Sequence, residues 1–198
     1  ASSQARTPEG CRHPSSFARS ILAFLQPNPD MSDALAIGAV TAVLKNLLES
    51  SHSKTLVDSA VGTFAVSTQP PDAFANENEN RINLFLYQAV ENPALRNQWL
   101  PSRNSSGDRL VNAPLAVDVT YLVTAYGKHD YYAEIMLGYA MHVFHESPVL
   151  PRSKIRSALS PAAPGANWPA QFAETHLAEQ LEQIKITPQT IGAEEMSR

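Results

Sequence analysis

Cysteine is nearly absent. The single thiol, Cys11, can form no internal disulfide, and no thiolate metal cluster can be assembled from it, a usage that fits a reducing compartment. Glycine is sparse as well, at eight residues in 198. Neither a Gly-x-Gly-x-x-Gly turn nor a Gly-Lys-Ser/Thr loop occurs, so the usual phosphate cradles are missing. Charged residues make up only 17%, and 19 acidic against 15 basic side chains leave a net charge of -4. That balance lacks the basic excess with which nucleic-acid binders meet a phosphate backbone. No apolar run reaches the roughly 18 residues that a membrane-crossing helix needs, and the apolar part of "SILAFLQP" is too short for a secretory signal. These absences remove several function classes. What remains is a 43% hydrophobic chain long enough for one domain with its own core.

Hydrophobic period places the elements. Leu35, Ile37, Val40, Val43, Leu44, Leu47 and Leu48 recur at helical spacing between Ser32 and Ser50, with Ser32 or Asp33 as a cap. "SSHSK" breaks that pattern, and Thr63 to Ser67 reads as a short strand stopped by Pro70 and Pro71. In "NRINLFLYQAVENPALRN" strict alternation puts Ile82, Leu84, Leu86 and Val90 on one face and Phe85, Tyr87 and Ala89 on the other. A strand apolar on both faces is expected to be central and covered on both sides. "LAVDVTYLVTAYG" alternates most clearly of all, and is expected to pair antiparallel with it. The connection between them, Gln98 to Pro114, is too long for a tight turn, and long ordered loops are often functional. Tyr131 to Glu146 returns to helical period, ended by Pro148. Ile184 and Ile186 mark a last short strand, and "TIGAEEMSR" reads as the first turn of a further helix. The fold class expected is α+β: a mainly antiparallel sheet of about four strands with two or three helices. Residues 1–30, rich in Ser, Pro and Arg, are expected to be a disordered or non-native extension, a targeting-like segment being the lesser alternative. The domain is expected to span residues 31–198 and to be cut short at its C-terminal end.

Candidate chemistry is thin. His129, Asp130, Glu134, His142, His145 and Glu146 lie on or beside one helix. Zinc hydrolases place two histidines at i and i+4 so that both reach one ion, whereas "HVFHE" sets His142 and His145 three apart with the glutamate after both. A solvated helix face accounts for the group better than a metal site. "RNSSGDRL" holds Ser105 and Ser106, but turn chemistry explains it and no Gly-x-Ser-x-Gly elbow is present. Asp118 inside a strand has no base near it in sequence. No catalytic, metal or cofactor residue is therefore assigned. Polar groups suited to docking remain: Asn80, Arg81, Asn83, Arg96, Asn97, Trp99, Arg103 and Arg109 gather around the first long strand and the loop after it. Each singly fits ordinary surface; together, in a charge-poor chain, they favour an interface.

"ALAIGAVTAVLKNLL", "NRINLFLYQAVENPALRNQWLPSR", "PLAVDVTYLVTAYG", "AEIMLGYAMHVFHESPVLPRSKIRSAL" and "EQIKITPQTIGAEEMSR" occur in this order from Met31 onward. In this the chain resembles the cap, or tail-terminator, family of extracellular contractile injection systems, the phage-tail-like particles typified by the antifeeding prophage. The resemblance implies an α+β subunit that closes into a ring, a hexamer, on the end of the inner tube. Such a ring stops tube growth and anchors the last sheath layer. It further implies a structural role with no enzyme activity and no cofactor. The partners implied are further copies of the chain, the inner tube protein and the sheath protein, with neither nucleic acid nor a membrane span. Assembly is expected in the cytoplasm, within a particle retained there or released. A baseplate or cargo adaptor of the same particle is the alternative, and a small metal-dependent hydrolase using His142 and His145 the remote one.

Overall fold

The computed structural model describes residues 15–25, 35–74, 79–95, 102–111, 115–163, 166–179 and 184–189. Helix α1 (Ala36–Ser50) buries a stripe so wide that Ala39, Val40, Val43, Leu44, Leu47 and Leu48 all lie in the core. Alanines on that stripe let the helix approach its neighbours closely. It stops at a serine pair, where Ser50 Oγ donates to Asn46 O at 2.7 Å and so competes for the last backbone bonds. The break at "SSHSK" is only a corner, since a second helix, α2 (Lys54–Val61), follows at once. Gly62 ends it with φ 79°, a left-handed conformation that favours glycine. Strand β2 (Ala65–Ser67) comes next, then β3 (Arg81–Glu91).

One sheet holds six strands in the order β2-β3-β6-β1-β8-β7, and a separate ribbon holds β4-β5. The chain is an α+β protein. Its long strands β3 and β6 (Leu115–Tyr126) pair antiparallel, as their alternation implies, while β2 runs parallel to β3. The sheet is wider than the four strands expected, for two reasons. Strand β1 (Ser15–Leu25) lies within the residues expected to stand outside the domain, yet it pairs antiparallel with β6 along its whole length and with β8 (Ile184–Gln189) on its other side. The polar, proline-flanked composition of residues 1–30 hides "SSFARSILAFL", whose register is supplied by two strands far away in sequence. The two-residue strand β7 (Val149–Leu150) then closes the far margin against β8. Helices α3 (Tyr132–Glu146) and α4 (Arg152–Leu159) complete the set, four α-helices among the described residues, α2 and α4 being short ones that the period did not register.

The core lies on one face of the sheet. Val117, Val119, Tyr121, Val123 and Ala125 of β6 and Ile82 and Leu84 of β3 join the apolar residues of α1, α3 and α4 in one cluster. Two phenols bolt the layers together: Tyr121 Oη shares a hydrogen bond of 2.7 Å with Thr41 Oγ1 of α1, and Tyr139 Oη of α3 donates to Leu48 O. Burial pushes the Tyr121 phenol well above its ordinary range and Tyr139 up to about 12. Gly127, directly after β6, shows why that turn carries glycine. A Cβ there would stand 2.5 Å from Ala133 N, so the first turn of α3 rests on bare backbone.

Alternation alone misjudges the second half of β3. The register with β6 shifts between Leu86 and Gln88, so Tyr87 is a bulged residue. One extra residue inverts every later side chain. Val90 therefore pairs with Asp118, on the face of Phe85 and Leu122, and Ala89 pairs with Val119 on the core face. Cover on both sides also fails to extend along the strand. Ile82, Asn83 and Leu84 are buried, Phe85 and Leu86 are half-buried, and Tyr87 to Glu91 are exposed.

Candidate assembly interface

The residues expected to dock fall into three groups. Asn80 and Asn83 turn inward. Asn80 Nδ2 donates to Val61 O at 2.6 Å and its Oδ1 accepts from Lys128 N at 2.9 Å, clipping the end of α2 to the turn after β6. Asn83 is completely buried; its Oδ1 accepts from Ser67 Oγ at 2.8 Å and its Nδ2 donates to Gln69 O at 2.9 Å. It holds β2 and the chain beyond it against β3, and its burial removes it from any contact surface. Arg81 is half-buried and paired with Glu79 at 3.1 Å. Arg103 is exposed, with Nη1 donating to Gly107 O at 2.8 Å, and Arg109 begins β5. Arg96, Asn97 and Trp99 lie outside the described residues.

Sequence reading overlooked Asn92, which directly follows β3. Its Nδ2 donates to both carboxylate oxygens of Asp118, at 3.1 and 2.9 Å, and its Oδ1 accepts from Ala94 N and Leu95 N. Asp118 is thereby held by an amide. The signal was available, since an Asn-Pro pair marks turn initiation. Another asparagine organises the loop expected to be functional. There β4 (Ser102–Arg103) and β5 (Arg109–Val111) form a ribbon. Asn104 Oδ1 accepts from Ser106 N and Asp108 N, its Nδ2 donates to Asp108 Oδ2, and Gly107 turns the chain at φ 87°. Ser105 and Ser106 are turn residues of this tip.

The outer edge of β3 sets the character of the region. Strand β2 covers it only at Arg81, Ile82 and Asn83, so from Leu84 to Glu91 no described strand lies alongside. Tyr87 is 51% and Val90 43% exposed, and Leu110 of the ribbon reaches 63%. A strand edge with no described neighbour, beside exposed apolar side chains, is a template for another strand.

Elsewhere the described side chains offer little reactive chemistry. His142 Nε2 lies 3.3 Å from Glu146 and His145 is exposed; among the described residues no three His, Cys, Asp or Glu gather as metal ligands. An open cleft of about 410 Å³ between α1, α2, α3 and α4 is lined by Ser50, Ser53, Ser147, Ser157 and Lys154, and Lys154 Nζ donates to Ser147 Oγ at 3.0 Å. Among the described residues, no helix is long and apolar enough to cross a membrane.

No curated protein and no solved structure matches the chain. Residues 39–198 match the family described as the Pvc16 N-terminal domain, a span that runs from α1 through β8 and leaves β1 outside, and the chain belongs to that family.

Proposed function

We propose that this chain is a structural protein of a phage-tail-like particle, and that it caps the tube and sheath of a contractile injection particle as a ring, a hexamer, that terminates tube growth. Membership of the Pvc16 family supports the general system. The exposed edge of β3 carries the assembly reading. A closed ring needs two different patches on each subunit that meet head to tail. The β3 edge is one such patch, and the β4–β5 ribbon, exposed at Arg103, Ser105, Ser106, Gly107, Asp108 and Leu110, offers another. In this role the chain acts by contact with its own copies, the tube protein and the sheath protein, without catalysis, metal or cofactor.

The test has two parts. Purified protein is expected to run as hexamer-sized rings, and labelled protein to sit at the tube end away from the baseplate by electron microscopy. Deleting Ser102 to Asp108 is expected to leave a folded monomer that no longer forms rings. A protein that stays monomeric at every concentration, or is located at the baseplate, would overturn the cap reading; baseplate location would instead identify an adaptor.

A further inference from the structure

The ribbon and the edge each lack what the other supplies. We infer that the β4–β5 ribbon of one copy adds to the free β3 edge of the next, so that the subunits of an assembly share one continued sheet. This rests on the ring reading above and names the contact that would close it.

Three observations lead there. First, a two-stranded ribbon standing alone is marginal in water, and stability usually requires a third strand or a packed face. Here the ribbon is a separate sheet, its register already irregular between Ser102 and Arg103, and among the described residues its tip is held by local bonds around Asn104 and from Arg103 to Gly107 O. Second, the β3 edge is left open where its own subunit had the means to close it. The ribbon lies in the chain directly between β3 and β6, yet with it in place Tyr87, Val90 and Leu110 stay exposed. Natural sheets cover such edges or blunt them with charge and proline. From Leu84 to Val90 this one carries no charge and no proline, and Glu91 is its first charged residue. Third, exposed Arg103 meets no carboxylate among the described residues, while the half-buried carboxylate of Asp118, which Asn92 holds, lies at the receiving end of the sheet. Addition of a strand gives main-chain hydrogen bonds for affinity and alternate side chains for specificity. The ribbon and the edge are different surfaces, so the contact is heterologous and closes only around a ring.

Cysteine cross-linking in a Cys11→Ser background tests this. Val90→Cys and Leu110→Cys are each made singly, one with a size tag, and also combined in one chain; both sites are exposed, and unchanged thermal midpoints confirm folding. Mixing the single variants under mild oxidation is expected to give a disulfide-linked heterodimer. The double variant is expected to give a ladder of covalent oligomers ending at the ring. Rings that form without any 90–110 cross-link would overturn the ribbon docking and leave the ring reading standing. A double variant that closes its disulfide within one chain would show the ribbon folding back onto its own edge, again overturning the proposal. A protein that forms no oligomer would overturn both.

Discussion

Asn83→Ala separates a fold role from a docking role at one position. The side chain is fully buried and makes two hydrogen bonds, accepting from Ser67 Oγ and donating to Gln69 O. Each such bond contributes about 1 kcal/mol net. Truncation also takes this donor from Gln69 O, on an exposed residue where water can replace it, and opens a small void; an abandoned buried polar group would cost about 1–3 kcal/mol. Ser67 is half-buried, so water can recover its hydroxyl and the lower part of that range applies to it. The sum is about 2–4 kcal/mol. At about 2–4 °C per kcal/mol for a protein of this size, the thermal midpoint is expected to fall by about 5–15 °C. Urea denaturation gives the cleaner number, with the midpoint lowered and the slope unchanged. A double-mutant cycle with Ser67→Ala should return a coupling of about 1 kcal/mol, because the pair is in direct contact. If Asn83→Ala keeps its stability within about 0.5 kcal/mol, the range of ordinary surface substitutions, and instead loses its oligomer, the burial argument is wrong and Asn83 is a docking residue.

Two further outcomes follow from the same geometry. Gly127→Ala places a methyl 2.5 Å from Ala133 N, a backbone atom that cannot swing aside, so overpacking should cost about 1–3 kcal/mol in urea denaturation; a neutral effect would mean that α3 does not rest on this turn. Tyr121 and Tyr139 both have phenols raised by burial above the ordinary value near 10. The folded state thus favours the neutral forms, their contribution to stability is complete below about 10 and is lost as pH rises through the raised values. Phenolate absorbance should show these two tyrosines ionising only as the protein unfolds, and Tyr139→Phe should flatten the alkaline fall in stability; early, reversible titration of all six tyrosines would refute it.

The candidate interface was partly legible in advance. The stretch "NRINLFLYQAVENPALRN" carries both the buried pairing with β2 and the exposed half of β3. Its asparagines do not share one role. Asn80, Asn83 and Asn92 share one residue type and nearly one stretch of chain, yet they bond to Val61 O and Lys128 N, to Ser67 and Gln69, and to Asp118. An amide that donates and accepts suits either a seam between strands or a partner's surface, and composition carries no information on which it meets.

Local periodicity by itself determined α1, β3, β6, α3 and the isoleucine pair of β8, because each repeats its apolar residues often enough to bury one face whatever lies opposite. The antiparallel pairing of β3 with β6 followed, as did the absence of the usual motifs for phosphate, metal and membrane. Tertiary structure decided the width of the sheet and the state of its edges. It set β1 between β6 and β8, where register comes from residues about 100 and 165 positions away. It placed the bulge at Tyr87, which turned Val90 from the core face to the outer one. It also left the end of β3 without a described strand on its outer edge, because β2 stops at Ser67. Side-chain period is written along the chain, but which strand stops short, and which neighbour an edge still needs, depends on segments that meet only once the chain has folded.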